Sequence, residues 1–364
     1  MADNMIVYKC PCCGADIQYA AGTDTLQCMY CDNSFEISTL IDYEKGLSHQ
    51  KPEDFSWKTY DERSGNGDWR DGELSQLRSF KCQHCGGEII GDNSTMASSC
   101  PYCDNPVVIN EAIDGVLRPD FIIPFKMNSK AVERAYQRFT EKKLLLPKKF
   151  KTENRIDSVK GVYVPFWLFD ADSSGDAHFK ATKVKTWADS KYIYTKTDHF
   201  SVFRAADMSF EKVPVDGSVK MDDTLMESLE PFKYEEAVDF NTAYLAGYFA
   251  DRYDVDVTHS IDRANRRIKK STEETLRGTV NGYTSVTTES VNVQIQEGDI
   301  HYALMPVWVA NTVYRGENYM FAMNGQTGKV VGTLPIDKLK LVLITAGIFS
   351  IMFILFLLLF GTFN

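Results

Sequence analysis

The chain is short of positive charge: 40 Lys and Arg stand against 50 Asp and Glu, a formal net charge of −10. That balance argues against a body built chiefly to neutralise phosphates. The patterns of common nucleotide- and metal-dependent enzymes are missing too. A phosphate loop needs G-x4-G-K-[ST], yet Gly328-Lys329 is followed by Val330, and Met323 stands where the first glycine belongs. No H-E-x-x-H occurs, and the six histidines (His49, His84, His178, His199, His259, His301) follow no ligand spacing. No G-x-S-x-G elbow is present. Asp170, Asp172 and Asp176 lack the order and terminal glutamate of an EF-hand, and are expected in a solvated turn. The opening MADNMIVYKC has no basic stretch followed by an apolar one, so no signal peptide is expected. Nothing here asks for catalysis, and the protein is expected not to be an enzyme.

Cysteine, by contrast, is plentiful and ordered. Eight of the nine form one spacing used twice: Cys10, Cys13, Cys28 and Cys31, then Cys82, Cys85, Cys100 and Cys103, each C-x2-C-x14-C-x2-C. Two such hooks bring four thiolates to the corners of a tetrahedron, which Zn²⁺ accepts without penalty. The copies also match beyond the ligands at a constant offset of 72 residues. Lys9 falls on Lys81, Gly14 on Gly86, Ile17 on Ile89, Tyr30 on Tyr102, Asp32-Asn33 on Asp104-Asn105 and Ile37 on Ile109. The pattern predicts a duplicated zinc ribbon holding two structural Zn²⁺ ions, with closed coordination spheres and no open catalytic position. Disulfides, or iron in place of zinc, are the competing readings. Cys12 aligns with His84, out of register with the pairs, and both are expected on the surface of the turn.

Leu341 to Phe360 runs for twenty residues without a charge. At about 1.5 Å per residue that helix matches the hydrocarbon core of a bilayer. Lys338 and Lys340 precede it and nothing basic follows, so the positive-inside rule leaves the bulk of the chain in the cytoplasm, where thiols stay reduced. A single-pass cell-membrane protein is expected.

The expected organisation is a first ribbon (1–40), a polar linker with Gly65, Gly67 and Gly72 (41–79), a second ribbon (80–110), an α+β globular region (111–337) and a transmembrane anchor (338–364). Within the globular region, Ser129 caps a helix with Val132, Ala135, Tyr136 and Phe139 on one face. Val162-YVPFWLFDAD and Tyr302-ALMPVWVANTVY read as strands, each carrying Pro-x-Trp, and hint at two related halves. Phe200-SVFRA and Ser285-VTTESVNVQIQ read as further strands. Tyr319-MFAM, Asn324-GQTG and Lys329-VVGTL read as a hairpin. From Asp256 to Leu276 a helix carries Val257, Ile261, Ala264 and Ile268 in an apolar stripe, with Arg263, Arg266, Arg267, Lys269 and Lys270 opposite. That face, and the cluster Lys142, Lys143, Lys148, Lys149 and Lys151, is either an ordinary solvated surface or one that meets anionic lipid.

Paired cysteine quartets, an α+β middle and one C-terminal anchor resemble a family of bacterial membrane-anchored double-zinc-ribbon proteins. Members are encoded beside phage-shock protein A homologues in Bacillus-type genomes. The resemblance implies a scaffold that works with membrane partners, flotillin-like ones included, to recruit a phage-shock-protein-A-like remodelling protein during envelope stress. Similar sequences are often labelled primosomal helicases, a label at odds with the missing phosphate loop. The alternative is a membrane-associated nucleic-acid-binding protein without helicase activity. Each ribbon offers one basic residue, Lys9 or Lys81, amid several acids, which favours protein partners over nucleic acid.

Overall fold

The computed structural model describes residues 8–20, 22–41, 53–58, 60, 69–93, 99–110, 116–141, 143–153, 159–221 and 223–360. The chain forms two compact units, each assembled from three separated segments. The first comprises Met1–Thr59, Phe169–Val213 and Ile261–Ile300; the second comprises Tyr60–Leu168, Pro214–Ser260 and His301–Asn364. The boundary falls inside three long strands and one helix, a division that a linear reading of composition does not supply.

In the second unit the centre is a pair of strands that read as near-continuous apolar runs. They are the first part of Lys160–Ala188 and the last part of Ser285–Tyr314. Such runs mark strands buried on both faces. Val162, Val164, Phe166 and Leu168 join Ala303, Met305, Val307 and Val309 in one core, while Trp308 and Ala310 point to another beneath the helix Ser129–Glu141. The four predicted apolar positions of that helix all contribute, Phe139 at its edge. The expected hairpin forms from Glu317–Asn324 and Val330–Gly332, with Phe321 opposite Gly332 and Met323 opposite Val330. Gly328, at φ +77°, turns the chain there, so Gly328-Lys329 belongs to a turn and not to a phosphate loop.

The two Pro-x-Trp strands sit in equivalent surroundings. A short strand, Phe121–Ile122 or Phe249–Asp251, pairs in parallel with one of them. Phe121 lies opposite Ala303 and Phe249 opposite Val162, each three residues before the proline. Further on, the Met127 carbonyl accepts from Trp308 Nε1 at 2.9 Å, and the Val255 carbonyl accepts from Trp167 Nε1 at 2.9 Å. Gly325 N–H donates to the Pro306 carbonyl at 2.8 Å, and Gly217 N–H to the Pro165 carbonyl at 2.9 Å. The Gly325 carbonyl takes the N–H groups of Lys126 and Met127; that of Gly217 takes those of Asp254 and Val255. Asn128 then caps Ser129–Glu141 and Asp256 caps Val257–Gly278, accepting N–H groups three residues on at 3.0 and 2.9 Å. From strand to cap the correspondence holds at one offset, Phe121 to Phe249 and Asn128 to Asp256. Phe121 to Asn128 thus docks on the strand that carries Pro306 and Trp308, and Phe249 to Asp256 on the one that carries Pro165 and Trp167.

The first unit has a small antiparallel sheet of Ile17–Tyr19, Thr25–Cys28 and Ser34–Glu36 with its own core of Cys10, Ile17, Cys28 and Leu40. It also holds a sheet of Phe169–Ala188, Ile193–Val213 and Ser285–Ile300, covered by the helix from Ile261 onward. Asp170, Asp172 and Asp176 therefore lie in a strand and not in the expected turn. Of the predicted apolar stripe, Ala264 and Ile268 are fully buried, extended by Thr272 and Leu276. The basic face is smaller than its pattern predicts. Only Arg266 and Lys270 are exposed, while Arg263, Arg267 and Lys269 are half-buried and Lys269 pairs with Glu53 at 2.5 Å.

The segment read as a polar linker is anchored where it carries aromatics. Asp54–Trp57 pairs in parallel with Ser285–Tyr314, Trp57 stands edge-on to Phe169 at 5.0 Å, and its Nε1 donates to Asn265 at 2.9 Å. Gly298 makes room, since a Cβ there would stand 2.4 Å from the Trp57 ring. In the second unit Trp69 donates to the Val116 carbonyl at 2.7 Å. Gly65 and Gly67, like Lys142 and the final four residues, lie outside the described residues. At the other end, Lys338–Phe360 is one helix, with nothing buried from Lys338 to Phe356. Asp337 caps it, accepting the Lys340 N–H at 3.2 Å.

Candidate metal centres

Each cysteine quartet is gathered by two tight turns, and the turns repeat bond for bond. Gly14 N–H donates to the Cys10 carbonyl and Gly86 N–H to the Cys82 carbonyl, at 2.8 and 3.0 Å. Asp32 N–H donates to Cys28 and Asp104 N–H to Cys100, at 2.9 and 3.0 Å. All four turn residues have positive φ: glycine supplies it in the first hook, and in the second Asp32 and Asp104 sit at 56° and 58°. Aspartate is among the few side chains that tolerate that region. The matching aspartates of the sequence are thus explained by backbone geometry.

The thiols converge. Cys10 and Cys31 sulfurs lie 3.6 Å apart, Cys13 and Cys28 3.5 Å, Cys82 and Cys103 3.5 Å, Cys85 and Cys100 3.6 Å. Within each quartet every ligand atom is within 4.8 Å of the others. A tetrahedral Zn–S bond of about 2.3 Å requires sulfurs roughly 3.8 Å apart, so the spacing suits such an ion. Both groups could hold a metal, and together they comprise the eight cysteines of the repeated spacing. Among the described residues no other group of three or more His, Cys, Asp or Glu meets that test.

A Bacillus subtilis (strain 168) protein, described as uncharacterized protein YdjG, is 33% identical over 344 residues, 94% of either chain. The chain belongs to the YdjG family. No family model matches it, and no solved structure does.

The electrostatics of this YdjG-family chain favour a cation between the sulfurs. The Asn33 backbone N–H, helped by the Asn33 side-chain amide at 3.2 Å, lowers the Cys31 thiol to about 6. Burial raises Cys82, but the N–H groups of Cys85 and His84 outweigh it and hold that thiol at about 7. Their neighbours move the other way, because burial and adjoining thiols raise Cys10 and Cys85. Four thiolates this close cannot all ionise without a positive ion among them, and N–H groups aimed at sulfur are the usual outer support of such a site. Cys12 is not one of the four gathered thiols, although it packs against the core that contains Cys10 and Cys28. It is half-buried rather than on the surface, at a cavity of about 440 Å³ within the first unit, whereas His84 is exposed as expected. His178, also lining that cavity, is buried with neither ring nitrogen hydrogen-bonded, an environment no spacing in the sequence signals.

The quartets differ in their attachment. The first is enclosed by its own small core. In the second, Cys82, Cys100 and Tyr102 belong to the same core as Val162, Phe166 and Val307. Lys160 Nζ donates to the Ser99 and Cys100 carbonyls and pairs with Asp104 at 2.9 Å, and Asn311 Nδ2 donates to the Pro101 and Tyr102 carbonyls. The strand Glu88–Asp92 continues into the central sheet through Ala250 and Asp251.

Proposed function

We propose that the protein is a non-enzymatic, membrane-anchored zinc-ribbon scaffold whose bulk lies in the cytoplasm and recruits protein partners to the membrane. The observation that carries this reading is the pairing of two fully thiol-lined quartets with one C-terminal helix apolar enough to cross a bilayer. With four protein ligands each, the quartets leave no vacancy for water or substrate, so bound Zn²⁺ would act as a staple. Orientation follows from Lys338 and Lys340 before the helix. The resemblance to proteins encoded beside phage-shock protein A homologues supports flotillin-like and phage-shock-protein-A-like partners in an envelope-stress response.

Nucleic acid is the weaker partner. Lys9 is the one basic residue of the first ribbon and is paired with Asp16; its counterpart Lys81 is paired with Glu88 at 3.2 Å. The duplication keeps this pair along with the cysteines, and a surface whose single cation is already matched has little to offer a phosphate backbone. Crosslinking and purification of the full chain from native membranes tests the proposal. Specific proteins should be recovered, and recovery should fall when Cys13 and Cys28 are changed to serine. Recovery dominated by nucleic acid, sensitive to nuclease, would refute it.

A further inference from the structure

Beyond Thr182 and Thr284, whose contacts tie the first unit's strands together, the hairpin Lys160–Ala188/Ile193–Asp216 continues as a two-stranded arm. Every residue from Lys183 to Thr197 is exposed. Two strands alone are marginal in water and normally need a third surface. Side chains alternate along a strand, so Lys183, Lys185 and Trp187 share a face. Trp187 stacks on Tyr194 with ring centroids 5.6 Å apart, which places Tyr192, Tyr194 and Lys196 on that face as well. Trp187 is 52% exposed and Tyr192 64%, while Ile193, at 77%, lies on the opposite face. From Lys183 to Asp198 the arm carries Lys183, Lys185, Lys191 and Lys196 against Asp189 and Asp198.

We propose that this arm is a second membrane contact, resting its aromatic face on an anionic bilayer at headgroup level. Tryptophan and tyrosine favour that depth, and Lys185 and Lys191 can reach lipid phosphates, whereas Lys196 is paired with Asp198 at 2.9 Å and Lys183 lies over the Phe200 and Tyr283 rings. A chain that carries its own spanning helix meets a bilayer at high local concentration; to that extent the inference rests on the anchor reading. The turn limits the depth. Asp189 accepts the N–H groups of Lys191 and Tyr192 at 2.7 Å and the Tyr194 hydroxyl at 2.9 Å, which holds the carboxylate ionised and out of the acyl region.

The full chain, reconstituted into vesicles of phosphatidylcholine with or without phosphatidylglycerol, reports the contact through Trp187. Its signal is the difference between the parent and Trp187→Phe. In anionic vesicles Trp187 emission should shift to the blue, be quenched by lipids brominated near the headgroup, and be shielded from aqueous acrylamide. Changing Lys183, Lys185, Lys191 and Lys196 to glutamine, or raising the salt on the parent, should reverse all three. Metal content verifies that the variant is folded. Trp187 equally open to acrylamide in anionic and neutral vesicles overturns the proposal. So does quenching by an added oligonucleotide but not by brominated lipid, which would assign the arm to nucleic acid. Resistance of the chain to alkaline extraction reports the spanning helix separately, so failure of the anchor and failure of the arm read differently.

Discussion

Among single residues, Asp251 is a buried carboxyl at the position where the matching segment carries an isoleucine. Its counterpart Ile123 is completely buried, and Asp251 is 1% exposed. Ser218 donates to one carboxylate oxygen at 2.6 Å, and the buried Tyr102 hydroxyl stands beside the carboxyl. Burial raises its pKa to about 7; Ser218, Tyr102 and Lys220 pull down and Asp254 pushes up, without reversing the outcome. A carboxyl that ionises near 4 when unfolded and near 7 when folded binds more protons in the native state across that window. Its contribution to stability is therefore intact below pH 4 and is lost as pH rises to 7. Asp251→Asn should consequently be close to neutral at pH 4 to 5 and stabilising above pH 7, by roughly 2–4 kcal/mol. Denaturant midpoints of both proteins across that range give the difference, in which the pH dependence of the cysteine sites cancels. A gain independent of pH would show that Asp251 is ionised throughout.

For the elements, their matching surroundings make Trp167 and Trp308 a natural pair. Replacing either by phenylalanine keeps most of the ring and strands one carbonyl, Val255 or Met127, without its donor. Each change should cost about 1–3 kcal/mol, the range for an unsatisfied buried polar group, and the two costs should be similar. A loss confined to one site, measured by chemical denaturation, would mean that one indole bond carries no stability. These elements also show how far the sequence reaches. The hairpin at Asn324 is written in a local pattern, a glycine turn between apolar runs, and the helix Ser129–Glu141 in its periodic face, although its cap is Asn128 and not the expected Ser129. The quartets are legible because the ligands must be cysteine at a fixed spacing. The parallel pairing of Phe121 with Ala303 leaves no such trace, since it joins residues far apart in the chain and has no turn of its own. Likewise, the pattern of the Arg266 helix identifies Ala264 and Ile268 of its buried stripe, while Val257 and Ile261 are only half-buried, and it does not reveal the Glu53 that engages Lys269 from a segment read as linker.

At the scale of the whole molecule, the different attachment of the two quartets has a thermodynamic consequence. The first quartet is held by a core of its own, Cys10, Ile17, Cys28 and Leu40. In the second, Cys82, Cys100 and Tyr102 share a core with Val162, Phe166 and Val307 of the central sheet. Metal binding free energy is folding free energy for whatever the ligands hold together. Two zinc ions per chain are expected by elemental analysis of the detergent-solubilised protein. Changing Cys13 and Cys28 to serine should remove one ion and leave the main calorimetric transition nearly unmoved. Changing Cys85 and Cys100 should also remove one ion, but lower that transition by several degrees, as about 1 kcal/mol moves Tm by 2–4 °C in a body of this size. Equal shifts from the two double variants would mean that the shared core does not couple the second site to the sheet. A metal content near zero in the parent would remove the staple altogether.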